Sequence, residues 1–570
     1  MKRSKIKSDI RRLKLAPSRR ALLLLIYQIV VLMIPNLLLA ITEPYSGWSI
    51  AAGLLLTLGV YLLAHTITRR VGITVMCMIP IIILCAFQVV LLYLYGDSII
   101  ATDMYINLMT TNPDEAYELL NNLYPAVAFV CLLYTPMLVT AFIQIRRKMR
   151  LTLKMRRHII WVGSGAAATG LLLLIPAHSV GDRNILTNEV FPLNVICNFN
   201  YALVSNHHTL YYPQTSHLFR YNVERTTDEK QRQIYVYVIG EASRAANWEL
   251  YGYERETNRR LKQRNDIYLF KNVTTQSNTT HKSVPLFLSS VATNQHRELY
   301  YRKGLAAMFK EAGYRTFFFS NQSPQGAMVD HLAKEADEVA YIGAPRQDMQ
   351  LLRMMRRIIE TDKKHDLLFI LHCYGSHFSY HQRYPREFAV FQPDNDVAIK
   401  PHNADMILNA YDNSILYTDY FLNNVIEYLG QLNTCTAMLY CSDHGEDIFD
   451  DERGRFLHAS PTVTYYQLHV PCFLWFSEDY ARRYPSKVEA ANDHRWSPAT
   501  THSMFHTIAD IASLASPFID RTVSLVSSDF DNEAPRYYLN DHNEAVRFDR
   551  KIGITEHDRY LFKIHGINIQ

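Results

Sequence analysis

Five long apolar stretches in the first third of the chain constrain its fold more than any other feature. Each is close to the roughly 20 residues that an α-helix needs to cross about 30 Å of hydrocarbon. Buried core helices would also be apolar, but five such runs within the first 180 residues favour a membrane domain. The predicted spans are 21–41, 48–67, 72–95, 124–143 and 159–177.

The distribution of positive charge predicts the orientation of these spans. The N-terminal arm, the TRR segment after the second stretch and the RRKMRLTLKMRRH loop after the fourth are basic. The intervening loops, TEPYSGW and residues 96–125, contain no Lys or Arg. By the positive-inside rule, the N-terminus is therefore expected in the cytoplasm, and the chain beyond the fifth span is expected outside it.

The formal net charge of +5 does not indicate a nucleic-acid-binding protein. Residues 1–180 hold 18 Lys/Arg and 7 Asp/Glu, which leaves 41 Lys/Arg and 47 Asp/Glu for the remainder. The basic excess thus belongs to the membrane part, and no basic groove is expected in the soluble part. We predict no nucleic-acid partner.

We divide the chain into three segments. Residues 1–180 are predicted to form the five-helix transmembrane domain, 181–227 a partly interfacial linker rich in aromatic residues, and 228–570 a soluble domain. The polar loop between the third and fourth spans contains MYINLMTTNPDEAYELL, an amphipathic stretch expected to lie on the membrane surface. The eight cysteines show no CxxC spacing, and the sequence leaves open whether those outside the spans form disulfides or stay buried thiols.

The soluble part alternates short apolar runs with helical patterns. IYVYVIG, LLFILH and HVPCFLWF read as strands, and GLAAMFKEAGYRTFFFSNQ reads as a helix, a glycine stop and a strand. Continuous apolar strands separated by helices indicate a buried sheet covered on both faces. We therefore predict an α/β domain with a mainly parallel sheet sandwiched by helices.

Polar residues follow three of these strands where each strand ends. Glu241 follows the first, His372 ends another with His377 just beyond, and Asp443 and His444 follow a third. Ligands of open α/β sheets bind outside the carboxyl ends of the strands. An exposed loop would explain any single one of these positions, but three coinciding strand ends favour a metal site. Carboxylate and imidazole ligands suit tetrahedral zinc.

A short polar segment, NTTHKSVP, precedes an apolar helix start and offers hydroxyl groups at Thr280 and Ser283. A hydroxyl at a helix N-terminus near a divalent cation would have its alkoxide form stabilised by the helix dipole and by the ion. Helix capping by the same two side chains is the alternative. Beside a metal site, the nucleophile is the favoured interpretation.

Five segments follow one another in the soluble part of the chain: VIGEASRAANWELYGYERET, NTTHKSVP, LHCYGSHFSYHQRYP, LNAYDNSILYTDYF and CSDHGE…FLHAS. With these motifs in this order, the chain resembles the membrane-anchored phosphoethanolamine transferases of the alkaline phosphatase/sulfatase superfamily, which include lipid A-modifying and colistin (polymyxin) resistance enzymes. The resemblance covers nearly the whole chain. The implied fold is a five-helix membrane domain followed by a sulfatase-like α/β domain.

The resemblance also implies a set of metal ligands. At the matching positions stand Glu241, Thr280, Asp443 and His444, which are therefore expected to bind Zn²⁺. Thr280 is the implied catalytic nucleophile.

Further residues match the family's substrate-binding positions. His377 and His458 match a second pair of histidines that bind the substrate phosphate or a further zinc ion. The stretch MYINLMTTNPDEA resembles the family's membrane-proximal lipid-binding segment, which implicates Asn107, Thr111 and Glu115.

The implied reaction moves phosphoethanolamine from phosphatidylethanolamine to lipid A or another lipopolysaccharide acceptor. It passes through a covalent threonine intermediate and releases diacylglycerol. The implied location is the bacterial inner membrane, with the catalytic domain in the periplasm. Two departures stand out: the cysteines that flank the nucleophile in the lipid A branch are missing, and LYGYERET resembles the branch that modifies core sugars.

Three other functions are compatible with parts of the sequence. A phosphoglycerol transferase of the lipoteichoic-acid-synthase type would use phosphatidylglycerol, but EASRA and NTTHKSVP fit the phosphoethanolamine group better. A sulfatase needs a C/S-x-P-x-R signature, and SVPLF lacks the arginine. A non-catalytic membrane receptor that keeps the fold would not need the four zinc-ligand positions intact.

Overall fold

The computed structural model describes most of the chain. Its backbone description omits residues 1–16, 44, 96–98, 111–112, 181–184, 228–230, 325, 344–346, 396, 398, 461, 549–551, 568 and 570. The side chains of 94–95, 107–108, 110, 113–123 and 180 are also outside the description. Two compact units are present: one comprises Met1–Thr102 and Leu119–Tyr201, and the other comprises Asp103–Glu118 and Ala202–Gln570.

The described part of the chain between residues 17 and 215 is mostly helical. Its helices are α1 (Pro17–Thr42), α2 (Gly47–Ala64), α3 (Val71–Cys77), α4 (Ile79–Tyr95), α5 (Thr102–Thr110), α6 (Pro113–Arg146), α7 (Leu153–Val180), α8 (Ile185–Asn188) and α9 (Leu193–Thr215).

Four of these helices are long and apolar enough to cross a membrane within the part that the structure describes: α1, α2, Tyr124–Arg146 of α6 and Leu153–Ser179 of α7. The third predicted span is instead a broken pair, since α3 and α4 meet at an angle of 61°. Pro80 explains the break, because it lacks an N–H and its ring clashes with the carbonyl of the residue four positions earlier. The described helices thus give four candidate crossings, or five if the bent pair crosses as one span.

Small residues let α2 and α7 pack closely in the first unit. A Cβ atom added at Gly59 would lie 2.5 Å from the backbone nitrogen of Ala167, and one added at Gly170 would lie 2.7 Å from that of Leu56. Such close backbone approach through glycine and alanine is typical of helix pairs in membranes, where packing replaces the hydrophobic effect as the driving force.

The second unit is built on a seven-stranded sheet with the order β3-β11-β8-β2-β7-β5-β6. Strand β11 runs in the direction opposite to the other six strands. The sheet is therefore mainly parallel, as predicted, and mixed because of this one strand. The strands of the unit are β1 (Glu224–Arg225), β2 (Gln233–Gly240), β3 (Ile267–Phe270), β4 (Val273–Thr274), β5 (Arg315–Ser320), β6 (Glu338–Tyr341), β7 (Leu367–His372), β8 (Cys435–Ser442), β9 (Asp447–Ile448), β10 (Phe456–Leu457), β11 (Cys472–Phe476), β12 (Ala499–Thr500), β13 (Leu514–Ala515), β14 (Tyr537–Leu539) and β15 (Ala545–Arg547).

Helices cover both faces of this sheet. The α-helices described after α9 are α10 (Thr280–Phe287), α11 (Leu305–Glu311), α12 (Met328–Ala333), α13 (Met349–Thr361), α14 (Ala404–Gly430), α15 (Tyr465–Leu468), α16 (Glu478–Arg483), α17 (Pro485–Asp493), α18 (Ser503–Ile511) and α19 (Glu556–Ile564).

Strand β2 shows why the sheet must be sandwiched. All eight of its residues are buried, and alternate side chains enter opposite cores, as the two-residue period of a strand requires. Tyr235 and Tyr237 join the core that contains the apolar side chains of α10, α11 and α18. Val236 and Val238 join the core that contains those of α13 and α14.

The register of the central strands fixes the edge where polar residues gather. Gly240 of β2 pairs with Ser442 of β8, and Ile239 pairs with His372 of β7. The residues that follow these three strands are therefore neighbours at one carboxyl edge, which is where the functional residues were predicted.

Candidate active site

Three predicted metal ligands meet at this edge. Glu241 leaves the end of β2, and Asp443 and His444 leave the end of β8, so the pairing of the two strands brings them together. One ligand atom from each lies within 4.8 Å of the others, and all three side chains are fully buried. Two buried carboxylates and one imidazole form a donor set that fits a divalent cation such as zinc.

Thr280 completes this cluster from a different element. It is the first residue of α10, and its Oγ1 lies 3.2 Å from each carboxylate oxygen of Glu241 and 3.1 Å from Nε2 of His444. Its side chain is partly exposed, unlike the three fully buried ligands. The hydroxyl therefore lies where a bound cation and an incoming substrate could both reach it.

The hydroxyl groups of Thr280 and Ser283 do not cap the helix. The N-cap of α10 is Thr279, and no side-chain hydrogen bond caps the helix. Ser283 donates its hydroxyl to Oδ2 of Asp443 at 3.3 Å instead. Both Thr280 and Ser283 thus face the carboxylate cluster rather than the free N–H groups of the helix.

Backbone groups hold the ligands in place. The amides of Ala242 and His444 donate to Oδ1 of Asp443 at 3.1 and 2.8 Å. Nδ1 of His444 lies 2.9 Å from the carbonyl oxygen of Gly445, which leaves Nε2 for the cluster. A preorganised ligand set of this kind needs little rearrangement to bind a cation.

The electrostatics of the cluster also fit a cation. Burial, with the Asp443 carboxylate as the next cause, raises the pKa of Glu241 well above its ordinary value. Burial lowers the pKa of His444, so the imidazole is kept neutral, as a metal ligand must be. A divalent cation would offset the cost of burying the two carboxylates.

One glycine is required for the close approach of the next loop. Gly375 has a φ of +49°, and a Cβ atom there would lie 2.8 Å from the carbonyl oxygen of Glu241. A side chain at this position would push Glu241 out of the cluster, so both the backbone angle and the space demand glycine.

The two further histidines of the prediction lie at the same edge. The ring of His458 has its centroid 4.2 Å from that of His444, and its Nδ1 lies 2.8 Å from Oε1 of Glu446. Nδ1 of His377 lies 2.6 Å from the carbonyl oxygen of Phe378. Burial is the main cause that lowers the pKa of His377 to about 3 and that of His458 to about 4, so both rings are neutral at physiological pH.

The remaining predicted substrate-binding residues cannot be placed by their side chains. Asn107 belongs to α5 and Glu115 to α6, but the side chains of both lie outside the described part, and so does the whole of Thr111. The prediction for these three positions therefore stays a prediction.

Sequence reasoning missed two residues that support the site. Gln322 follows β5 and donates to Oε2 of Glu241 at 2.8 Å. Oε2 of Glu446 accepts a hydrogen bond from the Tyr380 hydroxyl at 2.6 Å, and Oε1 of Glu446 lies 2.8 Å from Nδ1 of His458. Their positions just beyond strand ends were a usable signal, because the same rule had identified Glu241 and Asp443.

No disulfide supports the site. All eight cysteines lie in the described part of the chain, and all are free thiols. This agrees with the absence of the family's flanking cysteines around the nucleophile segment.

Comparison with known proteins defines the class of this fold. The Sulfatase family matches residues 233–514, which include the sheet and all four residues of the cluster. The second unit thus contains a sulfatase-like α/β domain.

Within this class, the relatives that the chain resembles include phosphoethanolamine transferases. The chain is 32% identical over 272 residues to the phosphoethanolamine transferase EptA of Escherichia coli (strain K12), which covers 45% of this chain and 49% of that protein. The chain spans about half the length of such curated relatives. The C-terminal periplasmic domain of EptC from Escherichia coli, solved in complex with Zn, is 25% identical at a TM-score of 0.52, covering 58% of this chain and 98% of that one.

A full-length structure shares the architecture of both parts. The integral membrane lipooligosaccharide phosphoethanolamine transferase A of Neisseria meningitidis matches at a TM-score of 0.68 and 19% identity, covering 88% of this chain and 97% of that one. The recognition made from the motifs is confirmed: residues 233–514 match the Sulfatase family, and relatives that the chain resembles are named as phosphoethanolamine transferases.

Proposed function

We propose that this protein transfers phosphoethanolamine from phosphatidylethanolamine to lipid A or another lipopolysaccharide acceptor, with Thr280 as the covalent nucleophile. The observation that carries the proposal is the contact of Thr280 Oγ1 with Glu241 and His444. A hydroxyl at a helix start, in contact with two of the three buried side chains that could hold a cation, is the arrangement that activates a nucleophile. The relationship to enzymes named as phosphoethanolamine transferases supports the transferred group.

Glu241, Asp443, His444 and Thr280 would hold one zinc ion. When bound, zinc would act as a Lewis acid that stabilises the Thr280 alkoxide and the charge on the phosphoryl oxygens. The related EptC domain in complex with Zn supports this choice of metal.

The first step forms the covalent intermediate. Thr280 Oγ1 loses its proton and attacks phosphorus, while the bond from phosphorus to the glycerol oxygen breaks. Diacylglycerol takes up a proton and leaves, so one phosphoethanolamine group remains on Thr280. In the second step, an acceptor hydroxyl or phosphate oxygen attacks the same phosphorus and releases the threonine.

The two outer histidines would bind the phosphoryl group. Nδ1 of His377 contacts the Phe378 carbonyl oxygen and Nδ1 of His458 contacts the Glu446 carboxyl group, so each ring leaves Nε2 for the substrate. A neutral ring whose Nδ1–H is used in this way has a lone pair on Nε2, which could bind a further zinc ion, and it would donate a hydrogen bond to a non-bridging oxygen only in its protonated form. Glu446 orients His458 through its contact with Nδ1. Asn107, Thr111 and Glu115 remain the proposed contacts of the lipid donor.

The membrane helices suit a lipid donor. We infer five crossings, with the bent pair of α3 and α4 as the third, the N-terminus in the cytoplasm and the catalytic domain in the periplasm of a bacterial inner membrane. Basic segments alternating with loops free of Lys and Arg support this topology. A periplasmically active reporter fused after the last residue should be active, and one that works only in the cytoplasm should be silent.

The test of the function is detection of the intermediate. Incubation with phosphatidylethanolamine and no acceptor should add one phosphoethanolamine group to the peptide containing Thr280, measured by mass spectrometry. Thr280→Ala should abolish the adduct, whereas Thr279→Ala, which removes the neighbouring hydroxyl, should retain it. An adduct in the Thr280→Ala protein, or labelling from phosphatidylglycerol in preference, would contradict the proposal.

A further inference from the structure

The backbone around His458 is held in a conformation that its residues disfavour. Leu457 has a φ of +68° and Ala459 a φ of +63°, so a left-handed residue stands on each side of the histidine. Residues with a Cβ atom rarely adopt this conformation, and they keep it only where the surrounding structure holds them. The turn of residues 457–460, here named the His458 turn, therefore needs a partner that holds it.

Asn278 is that partner. Its main-chain carbonyl oxygen accepts the amide of Ala459 at 3.2 Å, and its Nδ2 donates to the carbonyl oxygen of Ser460 at 2.9 Å. Both bonds fall on the two residues that directly follow His458. Because Asn278 stands two positions before Thr280, it joins the His458 turn to the nucleophile segment.

The carboxamide of Asn278 has one preferred orientation. Nδ2 also donates to Oε1 of Gln467 at 2.6 Å, and Oδ1 accepts the hydroxyl of Tyr538 at 2.7 Å. Gln467 is itself oriented, since its Nε2 donates to Oδ2 of Asp447 at 2.5 Å. Asn278 is 2% exposed, and both its N–H groups and its side-chain oxygen have partners. A buried polar network that is satisfied in this way makes the structure around it rigid.

The ring of His458 is placed by two different supports. Nδ1 lies 2.8 Å from Oε1 of Glu446, and this contact sets the rotation of the ring. It does not set the position of the backbone that carries the ring. Asn278 does so, because it binds the peptide groups on the C-terminal side of His458.

A buried asparagine in such a network could instead serve the fold alone or support the metal cluster. The cluster has supports of its own, since the amides of Ala242 and His444 donate to Asp443. The side chain of Asn278 bonds to the His458 turn, to α15 and to β14. These contacts favour a role in the placement of His458 over a role in metal binding.

We propose that Asn278 is a positioning residue, which holds the His458 turn against the nucleophile segment and so fixes the distance from the His458 ring to Thr280. The inference rests on the proposed function and deepens it, because it assigns the contact that brings one of the two outer histidines to the nucleophile. The ring must reach the phosphoryl group, directly or through a further zinc ion, while Thr280 reacts. A displacement of about 1 Å in such a site can cost about 100-fold in rate.

The test measures the rate of adduct formation on Thr280 from phosphatidylethanolamine without acceptor, per zinc-loaded protein. We expect Asn278→Ala to slow this rate about 10- to 100-fold at a wild-type zinc content. In a His458→Ala background, the same change should cause no further loss, because the residue through which Asn278 acts is gone. An asparagine that serves only the fold would slow both backgrounds by the same factor, and that result overturns the positioning role.

Hydrogen exchange measured by mass spectrometry gives a readout that does not depend on activity. The amides of residues 456–460 should exchange faster in Asn278→Ala, whereas those of β8, which leads to Asp443, should keep their wild-type rates. Unchanged exchange in residues 456–460 would show that the turn is held without Asn278 and would overturn the proposal. This measurement is decisive if His458→Ala forms no measurable adduct.

Tyr538→Phe is the matched control. It removes one hydrogen bond of the same carboxamide but leaves the bonds of Asn278 to Ala459 and Ser460, so its rate should stay close to that of the wild-type protein. Asn278→Asp is a second variant that keeps the volume of the side chain. A carboxylate cannot donate to the Ser460 carbonyl oxygen, so this variant should be as slow as Asn278→Ala.

Three further results would overturn the positioning role and leave the proposed function intact. A wild-type rate in both Asn278 variants would show that the turn does not need this residue. Loss of zinc in both would place Asn278 among the supports of the metal cluster. A loss in Tyr538→Phe as large as that in Asn278→Ala would assign the effect to the network as a whole. Absence of the adduct in the wild-type protein overturns the function itself.

Discussion

Nζ of Lys282 lies 2.5 Å from Oδ1 of Asp103, and this buried ion pair joins the first turn of the nucleophile helix α10 to helix α5. The side chains are 6% and 2% exposed. Although burial alone would raise the pKa of Asp103, the Lys282 charge holds it below its ordinary value. Lys282 also donates to the carbonyl oxygen of Asn540 at 2.7 Å, so its position is defined on two sides.

Breaking this ion pair should cost more than removing it altogether. Lys282→Met leaves the Asp103 carboxylate buried without its counter-charge, and we expect a loss of about 3–5 kcal/mol in the free energy of unfolding. The double variant Asp103→Leu/Lys282→Met buries no charge and should lose less. Thermal unfolding of the full-length protein in detergent checks this, and strictly additive losses would contradict it.

Glu446 should control catalysis through His458 without touching the metal cluster directly. Glu446→Gln replaces the carboxyl group that contacts Nδ1 of His458, so we expect kcat to fall about 10- to 100-fold, as for other residues that orient a site's histidine. Zinc content should stay at the wild-type level. Tyr380→Phe, which removes only the hydroxyl donated to Glu446 at 2.6 Å, should cause a smaller loss. Loss of zinc in Glu446→Gln would place this residue among the ligands instead.

Removal of one carboxylate from the cluster should remove the metal. Asp443→Ala leaves an incomplete ligand set, and we expect bound zinc, measured by elemental analysis, to disappear together with the Thr280 adduct. Ser283→Ala is the matched control, because Ser283 contacts Oδ2 of Asp443 without being a proposed ligand. It should keep the metal with an affinity reduced by about 10-fold. Full occupancy in Asp443→Ala would show that the ligand set is wrong.

His469 should make the protein sensitive to acid. It is 2% exposed, with Nε2 2.9 Å from the carbonyl oxygen of Lys271 and Nδ1 3.0 Å from the Tyr465 hydroxyl. Burial lowers its pKa to about 3, whereas the unfolded chain has a histidine pKa near 6.5. The unfolded state therefore binds a proton first as the pH falls, so this stability is present above about pH 6.5 and is lost toward pH 3.

The expected loss from this one group is about 2 kcal/mol at pH 5 relative to neutral pH. His469→Gln cannot titrate, so its free energy of unfolding should fall less steeply with acid than that of the wild-type protein. His402→Gln, at an exposed position, is the control and should follow the wild-type curve. Parallel curves for His469→Gln and the wild-type protein would assign the acid sensitivity elsewhere.

The sequence alone was enough to identify the apolar helices, the strands and the residues that meet at the candidate metal site, because each follows from local chemistry. Apolar length predicts a span whatever surrounds it, and buried strands read as unbroken apolar runs. Glu241, Asp443 and His444 could be found because a polar residue directly after such a run lies at the edge of the sheet. The sequence prediction treated residues 72–95 as one straight span and did not include the bend at Met78. Pro80 is visible in the sequence, but the average hydropathy of a segment does not change when one backbone N–H is missing.

Only the tertiary structure decided which of these residues meet. The order of β2, β5, β7 and β8 in the sheet depends on the packing of two whole cores, and no local pattern contains that order. It brings Gln322 onto Glu241, and it places His372 of β7 in one cavity with Asp330 and Tyr341. Residues so far apart in the chain become neighbours only when burial of the strands fixes the register of the sheet. That register depends on the tertiary packing of both cores and not on any single segment of the sequence.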